Sequence, residues 1–413
     1  MSRFPFAALV LVATGCWSVE APLRPAPPAT HAYEPLDLGT LGGNSTVATA
    51  INDRGQIVGW SFTAAGAPHA FLWEDGAMRD LGTLVAQEPD PVFHTRSVAG
   101  AINNAGLIAG SAEDESFMLK LVVWENGVIR ALGPDASDRE IRVDGMNARG
   151  DIVASIEPAE YDGRVVVWQN GVVQPVEHLP GGWNWTYATA MNGAGDVVGA
   201  STADQSSAQA FFHPFVWRDG VTTDLGVFGI TGNCTDPNEP SCNSAEGEAL
   251  DVNDAGVVVG WSQDSSGLPR PFIWQDGTLR DLGVFPGVKA YALAINERGQ
   301  VAGGHQPAPW PDQRAFAFLW SAGAVHDLGT LGGRATHVSA LSEAGEIVGS
   351  SLTASGEQHA FVWRNGQMTD LGLGAVGATE ATAVAINERG DVVGVATTPG
   401  GSRAILWRPS PPD

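Results

Sequence analysis

One phrase returns eight times along this chain. A stretch of small residues leads into Asn-x-x-Gly, then Val-Gly, then Phe-x-Trp-x-x-Gly, then Asp-Leu-Gly. The first copy reads Ala50-Ile51-Asn52-Asp53-Arg54-Gly55, Ile57-Val58-Gly59, Phe71-Leu72-Trp73-Glu74-Asp75-Gly76 and Asp80-Leu81-Gly82. A short unit repeated in this way cannot bury its apolar face alone, so it must stack on its neighbours. Most residues then serve the fold, and activity sits where the copies differ.

The anchor residues are Asn52, Asn103, Asn147, Asn192, Asn253, Asn296, Ser342 and Asn387, spaced 51, 44, 45, 61, 43, 46 and 45 residues apart. The tryptophans of the second motif are Trp73, Trp124, Trp168, Trp217, Trp274, Trp320, Trp363 and Trp407. A period of roughly 45 residues fits a four-stranded propeller blade. In the first copy, residues 47–51, 56–61, 69–73 and 77–81 read as four strands. Asn52–Gly55 and Trp73–Gly76 supply tight turns, where Asn and Gly are favoured. No window carries a sustained helical period, so helices should be scarce.

The two ends complete each other. The last copy stops after Trp407 and Arg408 without its Asp-Leu-Gly, while an orphan Asp37-Leu38-Gly39 precedes the first full repeat. The expectation is an all-β, closed β-propeller of eight four-stranded blades, spanning residues 36–408, with the N-terminal strand completing the last blade. An open solenoid would need polar caps, and none is visible. The small residues before each anchor suit strands crowded around an axis. The eight tryptophans are expected to pack between blades.

The motifs Ala-Ile-Asn-x-x-Gly, Val-Gly-x-Ser, His69-Ala70-Phe71-Leu72-Trp73, His359-Ala360-Phe361-Val362-Trp363 and the Asp-Leu-Gly-Thr-Leu-Gly-Gly of 327–333 resemble the HAF repeat of extracellular bacterial proteins. The resemblance covers residues 36–408. It implies export but no reaction, because the family is defined by its repeat. Three copies depart from the pattern. Ala131-Leu132-Gly133 replaces Asp-Leu-Gly, the third copy has Ala154 for a Gly and lacks Asp-Leu-Gly, and Leu341-Ser342 replaces Ile-Asn. Irregular blades are expected there.

Residues 1–15 read as a lipoprotein-type signal peptide. Arg3 precedes a short apolar run, and Val12-Ala13-Thr14-Gly15-Cys16 resembles a lipobox, which makes Cys16 the lipidation site. The run is too short to span a bilayer. Residues 16–35 are Pro-rich and read as an extended tether, and 409–413 as a C-terminal tail. Cys234 and Cys242 lie close together in the longest insertion and are expected to form a disulfide in an exported chain. No nearby ligands support a metal site there. The protein is thus expected on the outer membrane or cell surface, attached through its lipid alone, as a monomer.

The formal net charge is −24, with Lys120 and Lys289 as the only lysines, which argues against a nucleic-acid partner. There is no nucleophile elbow, metalloprotease helix or phosphate loop. Carboxylates are many but scattered. His69 and His359 occupy equivalent positions, which points to a structural role. The Asn-Asp-x-Gly turns lack the oxygen spacing of a calcium loop, so no cofactor or metal is expected.

The Asn-x-x-Gly and Trp-x-x-Gly turns share one face and vary little in length. The other face carries the variable loops, including 83–97, 179–187, 227–247 and 304–314, and is the default binding face. Its aromatics are the candidate ligand-binding residues: Trp183, Trp185 and Tyr187 in one crossing, and Trp310 as a second wall. They are expected to bind an extracellular glycan or peptide without catalysis. The alternative is a secreted propeller enzyme with carboxylates at the channel mouth.

Overall fold

The computed structural model describes residues 33–85, 95–133, 140–157, 163–180, 185–203, 211–229, 245–306 and 315–410. Among them are 32 strands and no helix. Six sheets have four strands each, and a seventh has eight. Each four-stranded sheet is an antiparallel meander in chain order, here called I (residues 42–80), II (97–131), III (140–176), IV (186–224), V (247–281) and VI (289–327). The eight-stranded sheet is two further meanders, VII (332–372) and VIII (380–409 with 33–37), joined by one parallel bridge between Gln358 and Glu380. The chain is an all-β propeller.

The N-terminal strand, Tyr33–Asp37, pairs antiparallel with the last strand, Gly401–Pro409, from Tyr33 opposite Pro409 to Asp37 opposite Ile405. Leu38 N–H then donates to Ala404 O at 3.0 Å, as Leu81 N–H does to Ala70 O and Leu225 N–H to Pro214 O. The orphan Asp-Leu-Gly therefore does the work of the missing one. The strand begins at Tyr33, so the last three residues of the expected tether belong to the sheet. Meander III, expected to be irregular, pairs as regularly as the others, with Val172–Val176 as its outer strand.

The repeated glycine of Val-Gly has a steric cause. Every first strand carries a register shift just before the anchor, between Ala48 and Ala50 in meander I. The bulge brings the Val47 carbonyl over Gly59, where a Cβ would lie 2.0 Å from the oxygen. The same approach recurs at Gly199, Gly260 and Gly394.

The anchor asparagines close the turns and link the meanders. Asn52 Oδ1 accepts the N–H groups of Arg54 and Gln56, and its amide donates to Asn103 O in the next meander at 3.0 Å. The same donation runs from Asn103 to Asn147, Asn147 to Asn192, Asn192 to Asn253, Asn253 to Asn296 and Asn296 to Ser342. Asn387 of meander VIII donates to Asn52 of meander I. The first strands touch one another in the same order, and that of VIII touches that of I.

Between the meanders lies the core. Trp73, Trp124, Trp217, Trp274, Trp363 and Trp407 are buried, as expected. Trp168 and Trp320 are only partly buried, which corrects the expectation for those two. The histidines of the repeat are structural. His69, His213 and His359 each pair with the Asp of the following Asp-Leu-Gly, at 2.9, 2.9 and 3.0 Å. Arg270 takes the same place opposite Asp281.

Candidate functional site

Five residues before each anchor, towards the end of the sheet where the variable loops emerge, the first strand carries a residue whose type differs between copies. The residues at this position are Val47, Val98, Arg142, Tyr187, Glu248, Tyr291, His337 and Thr382. Small or apolar residues fill it in meanders I, II and VIII. Charged or aromatic residues fill it in III to VII, and from III to VI they meet.

Glu248 is the centre of this cluster. Its carboxylate accepts the indole N–H of Trp261 at 3.1 Å and is bonded by the Tyr187 hydroxyl. Trp261 stands opposite Glu248 in the sheet, and its ring meets Tyr291 of meander VI edge-on at 5.8 Å. Arg142 reaches across from meander III to donate to Ala188 O at 3.2 Å. Its charge acts on both Tyr187 and Glu248. Burial pushes the Glu248 carboxyl above its usual range, against the opposing pull of Trp261, Tyr187 and Arg142. Burial, with the Glu248 charge beside it, also raises the Tyr187 phenol. Below them Asp144, raised by burial, accepts from Arg142 Nε and Ser155 Oγ, both at 2.5 Å. The cluster thus brings together three aromatic rings, a carboxyl and a guanidinium.

Two of the four aromatic candidates fall in the described structure. Tyr187 is in the cluster, with its ring tilted against Phe212 at 5.5 Å. Trp185 lies next to it, edge-on to Phe212 at 6.3 Å and over Gly163. Both are partly exposed. Trp183 and Trp310 lie outside the described residues, as do Cys16, Cys234 and Cys242. Sequence reasoning missed Arg142, Glu248, Trp261 and Tyr291. For Arg142, Glu248 and Tyr291 the available signal was the break in the pattern five residues before the anchor, and Trp261 follows from its place opposite Glu248.

The opposite face holds an arrangement that the scattered carboxylates concealed. From meander IV round to meander II, the residue after the anchor bonds to its counterpart in the next meander, and Ala148 of meander III breaks the series. Asp254 Oδ1 accepts Gly193 N–H, Glu297 accepts Asp254 N–H, Glu343 accepts Glu297 N–H, Glu388 accepts Glu343 N–H, and Asp53 accepts Glu388 N–H. Asn104 continues the series by accepting Asp53 N–H. These carboxylates hold the turns in line. Crowding with Glu297 and Glu388 adds to burial in raising Glu343. Among the described residues no group of three or more His, Cys, Asp or Glu side chains is arranged to hold a metal.

No family model matches the chain, and no curated protein matches it. Solved structures do. The chain is similar to dipeptidyl peptidase 4 from Porphyromonas gingivalis, at 10% identity and a TM-score of 0.50, over 89% of this chain and 60% of that one. A prolyl endopeptidase matches at 12% identity and a TM-score of 0.50, over 76% of this chain and 50% of that one. The β-propeller domain of the trilobed protease from Pyrococcus furiosus matches at 11% identity and a TM-score of 0.49, covering 78% and 94%. The chain spans half to three fifths of the length of the first two peptidases. At these identities the likeness is one of fold, and the peptidase activities are those of the other proteins.

Proposed function

We propose that this chain is a closed eight-bladed propeller that binds an extracellular glycan or peptide at the variable-loop end of its axis, without turning it over. The blade count and closure rest on the eight meanders, the Asn387–Asn52 link and the contact between the first strands of VIII and I. The binding role rests on one observation. Arg142, Tyr187, Glu248 and Tyr291 put charged and aromatic side chains at a position that meanders I, II and VIII fill with valine or threonine, and Trp261 links Glu248 to Tyr291. Aromatic faces beside a few placed polar groups are what a carbohydrate ring or a peptide requires. Trp183, Trp185 and Trp310 extend this surface in the reading. Export, a lipid anchor at Cys16, a Cys234–Cys242 disulfide and membership of the HAF-repeat proteins complete the proposal, and they rest on the sequence.

The test is capture on glycan and peptide arrays by the full chain. A Glu248→Gln, Tyr291→Ala double variant should lose capture of the wild-type ligand while melting within a few degrees of wild type. Normal capture by that variant would move the site elsewhere. Turnover of the captured ligand by wild type would replace the binding reading with the enzyme reading.

A further inference from the structure

Meanders I and V differ at one informative place. Trp60 stands opposite Val47 in meander I, as Trp261 stands opposite Glu248 in meander V. Trp60 makes no side-chain hydrogen bond among the described residues and packs edge-on to Phe62 at 5.5 Å. Meander I therefore keeps the tryptophan without the acid, and the fold does not require Glu248. The Glu248 carboxylate receives two donors, the Trp261 indole at 3.1 Å and the Tyr187 hydroxyl. A carboxylate has about four acceptor positions, so it can accept more. Burial disfavours its charge, and a cationic partner relieves that cost. The rings beside it are not capped. Trp261 and Tyr291 are partly exposed. No cationic side chain lies over Trp261 among the described residues, whereas Arg408, Arg130 and Arg218 lie over the motif tryptophans Trp73, Trp168 and Trp274.

From this geometry we infer that the ligand of the Glu248 cluster is a hexosamine with a free amino group, held by its ammonium on Glu248 and by its ring on Trp261 and Tyr291. The inference rests on the binding role proposed above and names its ligand class. Charge selects the ammonium. Arg142 is engaged by Asp144 at 2.5 Å, which offsets its charge. At the same end of the first strands, Glu140, Glu246 and Glu380 outnumber Lys289 and Arg334. With the whole chain at −24, a cation is drawn to this end and an anion is repelled. Tryptophan and tyrosine rings add to the preference, because their faces attract an ammonium. Shape selects the sugar. One pyranose presents an ammonium, hydroxyls and an apolar C–H face together, and aromatic faces beside a few placed polar groups can meet all three. A peptide recognised through its main chain needs a free strand edge, whereas the groups that converge here are side chains.

The experiment uses the full chain carrying 5-fluorotryptophan at near-neutral pH, with the Trp261 fluorine signal assigned through Trp261→Phe. The probes are the methyl glycosides of glucosamine and galactosamine, their N-acetylated forms and methyl glucoside. Ethylamine and the amide of Nα-acetyllysine are the other amines. Each amine carries a single charge, so attraction to the acidic chain as a whole is alike for all. At least one free-amine glycoside should shift the Trp261 signal saturably. Its N-acetylated form, methyl glucoside and ethylamine should bind at least tenfold more weakly. Glu248→Gln keeps the shape of the side chain and should weaken the free-amine glycoside tenfold or more, with little effect on methyl glucoside. If Glu248→Gln melts well below wild type, the comparison of amine with acetamide on the wild-type chain decides. Equal binding of the two forms overturns the inference, and the binding role still stands if the Glu248→Gln, Tyr291→Ala variant loses array capture. Binding of the lysine amide as tight as that of the glycosides makes a peptide amine the ligand and overturns the hexosamine. The inference also fails if no glycoside moves the Trp261 signal, and array capture then judges the binding role by itself.

Discussion

The side-chain amide of Asn387 donates to the main-chain carbonyl of Asn52 at 3.0 Å, across 335 residues of sequence. The same side chain accepts the N–H groups of Arg389 and Asp391 through Oδ1. One residue therefore folds its own turn and joins the last meander to the first. Alanine at this position would leave two main-chain donors and one carbonyl without partners in a site that is only 4% exposed. Asn387→Ala should cost about 2–4 kcal/mol in urea unfolding.

Ser342 offers the converse change. Its hydroxyl still accepts Glu346 N–H at 3.1 Å, so the turn survives, but no hydrogen bond from Ser342 to Asn387 is present among the described residues. Ser342→Asn should supply the missing link and stabilise the protein by about 0.5–1.5 kcal/mol. An unchanged or lower denaturation midpoint would show that the link contributes nothing at this place.

The motif tryptophans should divide by burial. Trp407 is fully buried, in contact with a core of aliphatic side chains from meanders VII and VIII. Trp407→Ala should cost about 3–5 kcal/mol. Trp320 is partly exposed and packs at the edge of a smaller cluster. Trp320→Ala should cost less than half as much, measured by the same denaturant melts.

Asp251 makes a pH prediction. It stands where other copies have alanine or glycine, is partly buried, and accepts the N–H groups of Val252 and of Ile295 in the next meander, each at 2.8 Å. Burial pushes its carboxyl up to about 6, with Glu297 and Glu343 adding to the rise against those two hydrogen bonds. Between about pH 4 and pH 6 the folded state keeps a proton that the unfolded chain has released. Stability from this group therefore falls as pH rises through that window. Asp251→Asn, which resembles the protonated form, should be more stable than wild type at pH 7, by at most about 3 kcal/mol. The advantage should vanish below pH 4. A difference that stays constant from pH 3 to pH 8 would overturn this reading.

The fold was legible because the repeat writes each local device eight times. The Asn turn, the Val-Gly approach and the orphan Asp-Leu-Gly all specify contacts within one unit or with the next. The structural role of His69 and His359 was legible for the same reason, although their partners Asp80 and Asp370 were not named. What the repeat hid was contact between different copies at one level. Tyr187 and Glu248 are 61 residues apart in sequence, and only the stacking of meanders IV and V brings the hydroxyl to the carboxylate. The carboxylates from Asp254 to Asp53 looked scattered because each lies one period from its neighbour. The partial exposure of Trp168 and Trp320 depends on what adjoining copies place over them, and the shared motif carries no record of that.

Leu38 tests how the ends meet. It is 6% exposed and packs with Ala48, Ile57, Phe71 and Trp73 of meander I and with Val393, Ala404 and Leu406 of meander VIII. The neighbouring Leu36 pairs in the same strand but is 42% exposed. Leu38→Ala should therefore cost about 2–4 kcal/mol, while Leu36→Ala should change stability by less than about 0.5 kcal/mol. Removing residues 1–39 takes away both the core leucine and the partner of Gly401–Pro409. The last strand then becomes a sheet edge with unpaired N–H and C=O groups, which is a template for association. The truncated chain should melt lower than Leu38→Ala and should elute as dimers or larger species in size-exclusion chromatography. A truncated chain that stays monomeric with the wild-type melting point would mean that the N-terminal strand is dispensable, and that the last meander is stable with three strands.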